Sequence, residues 1–343
     1  MKNKIIIFGG KGGVGKSTTA CATAVWLARL NPAIKIMIVS FDMAHNLSDL
    51  FDMEIGDKIT QILQVPNLWA MEPDAERETD VFVKEFVDKA KELAYTMPLV
   101  KRLTNLEQYI NESFSAASIP LAVKNSIFFD DILENFDRYD LFIIDMPPTG
   151  NMVSILEVPK TTMQVFLKST LETMDNVMQF IHNMNRLNPV TWFRRGSENR
   201  KNMARDLLGM LKELDRRGDR ISKLLRESAS LRFVTIAERP SFEEIRRTSK
   251  YVEKYTNLDG VIINKINPEG LECRYCVKES AMQQKYIVQI EDYFKGKSFW
   301  KAQKLEDEAI GVDALSQIAE MLYDSQSFEQ IVDPSRPTGD ETP

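Results

Sequence analysis

Five of the fifteen glycines in this 343-residue chain fall within positions 9–15, a crowding that few folds can use. Residues without a Cβ let successive backbone N–H groups converge on one point, and such a point suits an anion. Ahead of the cluster, Ile5, Ile6, Ile7 and Phe8 read as a buried strand; after it, the Ala-, Val- and Leu-bearing stretch 17–30 reads as a buried helix. That context confirms the pattern G-x-x-x-x-G-K-[ST], met here by Gly10, Lys11, Gly12, Gly13, Val14, Gly15, Lys16 and Ser17, with Thr18 beside it. The helix start adds the positive end of its dipole. Lys16 is expected to reach the β- and γ-phosphates of a nucleotide, and the Ser17 hydroxyl to ligate Mg²⁺.

Four more short apolar runs, at 34–39, 141–144, 233–236 and 261–263, look like buried parallel strands. Their alternation with helical stretches predicts an α/β fold with a doubly wound, mostly parallel sheet. Two long helical stretches interrupt it. The expected division is a discontinuous core over 1–75, 136–157 and 229–330, an all-helical subdomain over 76–135 and 158–228, and a disordered tail over 331–343.

Composition narrows the partners. A chain that is 43% apolar and 27% charged buries a real core, and its net charge of -6 argues against nucleic acid, whose recognition leans on a basic surface. Three cysteines do not make an extracellular disulfide framework. The apolar run at 5–8 is too short for a secretory h-region, and no stretch approaches the ~18 apolar residues of a membrane span. A cytoplasmic location is expected.

Further along, Asp42 follows the second predicted strand within Ser40-Phe41-Asp42-Met43-Ala44-His45-Asn46-Leu47-Ser48-Asp49, where an open α/β sheet binds its ligands. The run at 141–144 ends in Asp145, positioned to hold a Mg²⁺ shell, and Met146-Pro147-Pro148-Thr149-Gly150 follows. Together these segments resemble the dimeric P-loop ATPases of the ArsA and tail-anchored-protein targeting family. The resemblance runs discontinuously from Lys4 to about Tyr323 and departs from the family's pattern at Met43 (usually proline) and Asn151 (usually histidine).

The resemblance implies ATP as the nucleotide, Asp42 as the group that activates water, and Lys11 as a lysine reaching the partner's phosphates across a dimer interface. It also implies Gly150 as an N–H near the γ-phosphate, Asn264 as an adenine reader, and Glu244 on a helix facing the dimer and the nucleotide. Residues 308–315 resemble the family's adenine loop and final helix.

Cys273 and Cys276 have the C-x-x-C spacing of half a tetrahedral zinc site, and the chain lacks the other half. A symmetric dimer would complete a shared Zn²⁺ site, and the targeting ATPases carry C-x-x-C here. A redox pair, a bridging iron-sulfur cluster and two inert thiols are the rivals.

In the second helical stretch, Met163, Leu167, Met174, Met178 and Ile181 form one stripe, and Met203, Leu207 and Met210 lie on another. Methionine suits a groove for apolar helices of varied shape, although such a stripe is also what ordinary core looks like. Residues 194–226 carry eleven Lys or Arg against five Asp or Glu, which reads as a solvated hairpin or as a docking surface for acidic partners.

The resemblance implies a homodimer, or a higher oligomer, that couples ATP hydrolysis to capture and delivery of clients' transmembrane segments, with a membrane receptor as a further partner. An arsenite-pump ATPase and a partitioning or iron-sulfur carrier ATPase are the alternatives.

Overall fold

In a computed structural model of the chain, the described residues are 5–42, 46–74, 126–157, 197–270 and 273–334, with scattered positions between 77 and 92. The chain divides into two compact units, one of Met1–Asp74, Asp130–Leu156 and Lys223–Pro343, the other of Ala75–Phe129 and Glu157–Ser222.

The first unit is built on an eight-stranded sheet: β1 (Ile5–Gly9), β2 (Ile36–Ser40), β3 (Thr60–Gln61), β4 (Leu68–Met71), β5 (Leu141–Asp145), β6 (Ala229–Ile236), β7 (Asn257–Ile266) and β8 (Ser298–Gln303). Their order is β3-β4-β2-β5-β1-β6-β7-β8. Among the described residues only β3 runs antiparallel to its neighbour. The chain winds from β1 outward to β2 and β4, returns to β5 beside β1, then crosses to β6, β7 and β8. That reversal opens a crevice at the carboxyl ends of β1 and β5.

Strands β1, β2 and β5 are buried at every position, as strands covered on both faces must be, and this is why their apolar runs were legible. Strands β4 and β8 were not among the sequence expectations. The first is four residues long, and the second alternates buried and exposed positions around Lys301 near the sheet edge.

The helices of this unit are α1 (Lys16–Leu30), α2 (Asn46–Phe51), α3 (Asp130–Asn135), α4 (Thr149–Leu156), α6 (Arg239–Val252), α7 (Arg274–Tyr293), α8 (Gly311–Tyr323) and α9 (Phe328–Val332); α5 (Ser197–Glu227) crosses the boundary between the units. Small side chains from Thr19 to Ala24 let α1 approach the sheet and α8 closely, and the Thr23 and Tyr323 hydroxyls meet at 2.8 Å.

The last helix is fastened from within. Arg232, fully buried on β6, pairs with Asp259 at 3.2 Å, donates to the Ile331 carbonyl, and stacks 4.6 Å from the Trp300 ring. Ile331 and Val332, expected to begin a disordered tail, are instead buried in α9.

Candidate nucleotide site

The glycine loop leaves β1 and feeds α1 with geometry that only glycine tolerates at two points. Gly10 has φ 155°, and a Cβ there would overlap the Val234 carbonyl. Gly15 has φ 91°, and its missing Cβ makes room for the Asn264 amide, which donates to the Val14 carbonyl at 3.0 Å. Gly15 is also the N-cap of α1 and offers no capping side chain, so the helix start suits an anion.

A cleft of about 610 Å³ lies over this loop. It is of the size that holds a small-molecule ligand. It brings together Gly12, Gly13, Gly15, Lys16, Ser17, Thr18, Asp42 and Asn264 from the predicted set. Lys16 is nearly buried, with Nζ 3.4 Å from the Lys11 carbonyl oxygen.

Behind Ser17 lies Asp145, fully buried at the end of β5 and in register with Ser40. The Ser40 hydroxyl donates to Asp145 Oδ2 at 3.1 Å and accepts from the Asp42 N–H at 3.2 Å. Burial pushes the Asp145 carboxyl up to about 7, against the pull of Ser17, Lys16 and Ser40. Its Oδ1 is buried without a hydrogen-bond partner. A buried, partly satisfied carboxylate beside a hydroxyl fits a hard cation with oxygen ligands, so the residues present suit Mg²⁺.

Six predicted residues do not line the cleft of their own chain: Gly10 and Val14 within the loop, the buried Asp145 behind it, and Lys11, Glu244 and Gly150. Lys11 Nζ lies 3.8 Å from Glu238 Oε1 at the head of α6. Glu244 accepts a hydrogen bond from the Thr149 hydroxyl, joining α6 to α4. Gly150, in the first turn of α4, does not line the cleft; Pro148 does, and the Thr149 N–H reaches the Gly10 carbonyl at 3.2 Å.

Other contributors went unread in the sequence. Lys265, in the left-handed region at φ 56°, donates from Nζ to the Gly13 carbonyl at 2.8 Å and lines the cleft. Its own carbonyl accepts from Gln283 on α7, whose Oε1 takes the Asn267 N–H at 2.9 Å. Residues 303–305 add a wall beside the partly anticipated 307–310 loop. The only sequence signal for Lys265 was its place directly after Asn264.

The expected zinc site draws on two chains, and the single chain carries only its half. Cys273 and Cys276 are joined as a disulfide at the start of α7, with Cα atoms 5.2 Å apart, and disulfide sulfurs are not the thiolates that zinc binds. Among the described residues no group of three or more His, Cys, Asp or Glu side chains is placed to hold a metal. The third cysteine, Cys21, is buried in α1; burial, then Asp145 and Glu72, push its thiol well up.

Of the apolar groove, Met163, Leu167, Met174, Met178 and Ile181 lie outside the described residues. Met203, Leu207 and Met210 fall on α5, and their side chains also lie outside the description. The basic stretch on that helix carries exposed pairs such as Arg216 with Glu213 at 3.6 Å and Lys223 with Glu227 at 3.9 Å. Among the described residues no helix is long and apolar enough to cross a membrane.

A glycine loop between the central strand and α1 of a doubly wound sheet, backed by a buried carboxylate, defines a P-loop nucleotide hydrolase. The chain belongs to the anion-transporting ATPase (ArsA ATPase) family, whose sequence pattern matches residues 3–324, and it is an ATPase. It is similar to ATPase ASNA1 homolog 1 of Paramecium tetraurelia, at 28% identity over 95% of this chain and 94% of that protein. ATPase GET3 of Komagataella phaffii is 27% identical over 95% of this chain and 91% of its own length. A putative arsenical pump-driving ATPase of Aquifex aeolicus is 27% identical over 96% of this chain and 81% of its own length.

Proposed function

We propose that this ATPase works as a cytoplasmic homodimer that spends each ATP cycle capturing and delivering the transmembrane segment of a tail-anchored client. The observation that carries the dimer is the position of Lys11. Its ammonium belongs to the glycine loop yet pairs with Glu238 outside the cleft, so a lysine that contacts phosphate in trans is free of its own nucleotide.

In the proposed reaction Lys16 and the loop N–H groups hold the phosphates, and Asn264 with residues 303–310 frames the base. Ser17 and Asp145 would hold Mg²⁺, which supplies charge neutralisation at the phosphates. Asp42 orients water for attack on the γ-phosphorus, and the bond to the bridging oxygen of ADP breaks. Lys11 of the partner chain stabilises the charge that spreads over the transferring group.

The resemblance to targeting ATPases supports the client class, together with the stripes around Met163–Met210 as a groove. The arsenite reading rests on the Aquifex relative's name. Against it, Cys21 is sealed in the core while Cys273 and Cys276 head an exposed helix, so three thiols do not converge on one metalloid. When reduced, the Cys273 and Cys276 pairs of two chains supply four thiolates, and metal analysis of the reduced dimer at about one zinc per two chains tests the shared site.

Co-expression with a panel of single-span membrane segments tests the client. Copurification of those segments, with no stimulation of hydrolysis by arsenite, is the expected result. Arsenite stimulation without capture of any segment would replace this reading with the pump alternative.

A further inference from the structure

Asp49 and Leu50, which form part of the cleft wall, sit on α2, a helix of six residues. A helix that short does not persist on its own propensity, so its position must come from tertiary contacts. Leu47 and Phe51 supply two of them by packing into the core. The third is polar and comes from the end of β4.

Glu72 follows that strand and is 2% exposed. Its Oε1 accepts from the Leu47 N–H at 2.7 Å, and its Oε2 from the Ser48 hydroxyl at 3.3 Å. The Ser48 hydroxyl shares its one proton between Oε2 and the Ile55 carbonyl, 2.8 Å away, and accepts from the Ile55 N–H at 3.1 Å, while the Glu72 N–H donates to the Gly56 carbonyl at 2.9 Å. One buried carboxylate thus gathers the start of α2, the 55–56 turn and the end of β4. Burying a carboxyl is costly, and hydrogen bonds from an N–H and a hydroxyl offset that cost only while all partners stay in place.

Asp42 lies five residues before Leu47. The Asp42 N–H is held by Ser40, which also donates to Asp145, and Leu47 and Ser48, five and six positions on, are held by Glu72. We propose that Glu72 is a positioning residue of the ATPase reaction: by holding the Leu47 N–H and the Ser48 hydroxyl, it sets where the loop bearing Asp42 stands against the phosphate cleft. The inference rests on Asp42 acting on the attacking water. Glu72 does not line the cleft and acts through the loop.

The role predicts a split between binding and turnover, because Gly12 to Ser17 are untouched when Glu72 changes. In steady-state hydrolysis of Mg·ATP by the full chain, Glu72→Ala should lower kcat by about 100-fold, the loss that a catalytic group displaced by about an ångström brings. KM should stay within about threefold. Glu72→Gln keeps an acceptor for Leu47 but presents an amide to Ser48, and should fall between wild type and Glu72→Ala. Ser48→Ala, which removes the Oε2 arm together with both Ser48–Ile55 hydrogen bonds, should also reduce kcat without raising KM.

If Glu72→Ala does not fold, Glu72→Gln and Ser48→Ala decide. A kcat within twofold of wild type in both overturns the inference, and so does a KM that rises in parallel with the loss of kcat. Asp42→Asn separates the two claims. If it turns over normally, the Asp42 reading and this inference fall together; if it is slow while the Glu72 variants are normal, only this inference falls.

Discussion

Lys11 and Glu238 face each other within one chain, the ammonium nitrogen 3.8 Å from Oε1 and both side chains 38% exposed. An ion pair that wet contributes at most about 1 kcal/mol, so it holds the lysine only loosely. Glu238→Gln should therefore shift ATP-driven dimer formation to lower ATP, by at most about fivefold. Lys11→Ala should cost about 10³ in kcat, as loss of a trans-acting cation does. Light scattering during an ATP titration and steady-state hydrolysis check the pair; a monomeric Lys11→Ala variant with normal turnover contradicts the trans role.

Asp42→Asn should slow hydrolysis by about 10²–10⁴ while leaving ADP affinity unchanged, because the side chain lines the cleft without supporting the glycine loop. Calorimetric ADP titration beside a turnover assay separates the two effects. Turnover near wild type removes Asp42 from the chemistry.

Asp145 should make the ligand-free chain pH-sensitive. Burial raises its carboxyl to about 7, so the folded chain keeps a proton that the unfolded chain releases above about 4. The resulting stability is fully present below the unfolded value and lost as pH rises through about 7. Thermal melts of the nucleotide-free protein should show a decline between pH 5 and 8 that Asp145→Asn flattens. Mg²⁺ needs the ionised carboxylate, so its apparent affinity should tighten over the same rise. Identical pH profiles for both proteins would count against the assignment.

Lys265→Ala removes the donor 2.8 Å from the Gly13 carbonyl. The side chain is exposed, so a modest effect is expected: a rise in KM for ATP of about three- to tenfold with kcat nearly constant. A loss confined to kcat would show that Lys265 serves the chemistry instead of the loop.

Asp259→Ala strands the buried Arg232 guanidinium and should destabilise the fold by about 3–5 kcal/mol, read as a lower denaturant midpoint. Because Arg232 also holds the Ile331 carbonyl, α9 should lose hydrogen-exchange protection in that variant. A midpoint within error of wild type would mean that the pair is not needed.

Residues 10–17 were legible because the phosphate loop is local: its glycines, lysine and serine act through neighbouring backbone, and nothing distant has to be known. The central strands were legible for a similar reason. A strand buried on both faces writes itself as an unbroken apolar run, whereas the half-exposed β8 does not. Asp42, Asp145 and Asn264 were singled out because each stands at or near the end of an apolar run and matches the family's pattern.

Only the tertiary structure decided what those residues touch. Glu72 looks like any charged residue after a short apolar run until β4 pairs with β2 and carries it to α2. Lys265 reaches Gly13 across a sequence separation of 252, from a left-handed backbone that composition does not announce. Cys273 and Cys276 allow both a metal half-site and a disulfide, since the C-x-x-C spacing is compatible with either. Here the two sulfurs are joined at the head of α7. The amino-acid order determines which groups are available and which short segments they shape; long-range pairing determines which of them meet, because the cost of burying a carboxylate or a guanidinium is met only by partners that the fold brings from elsewhere in the chain.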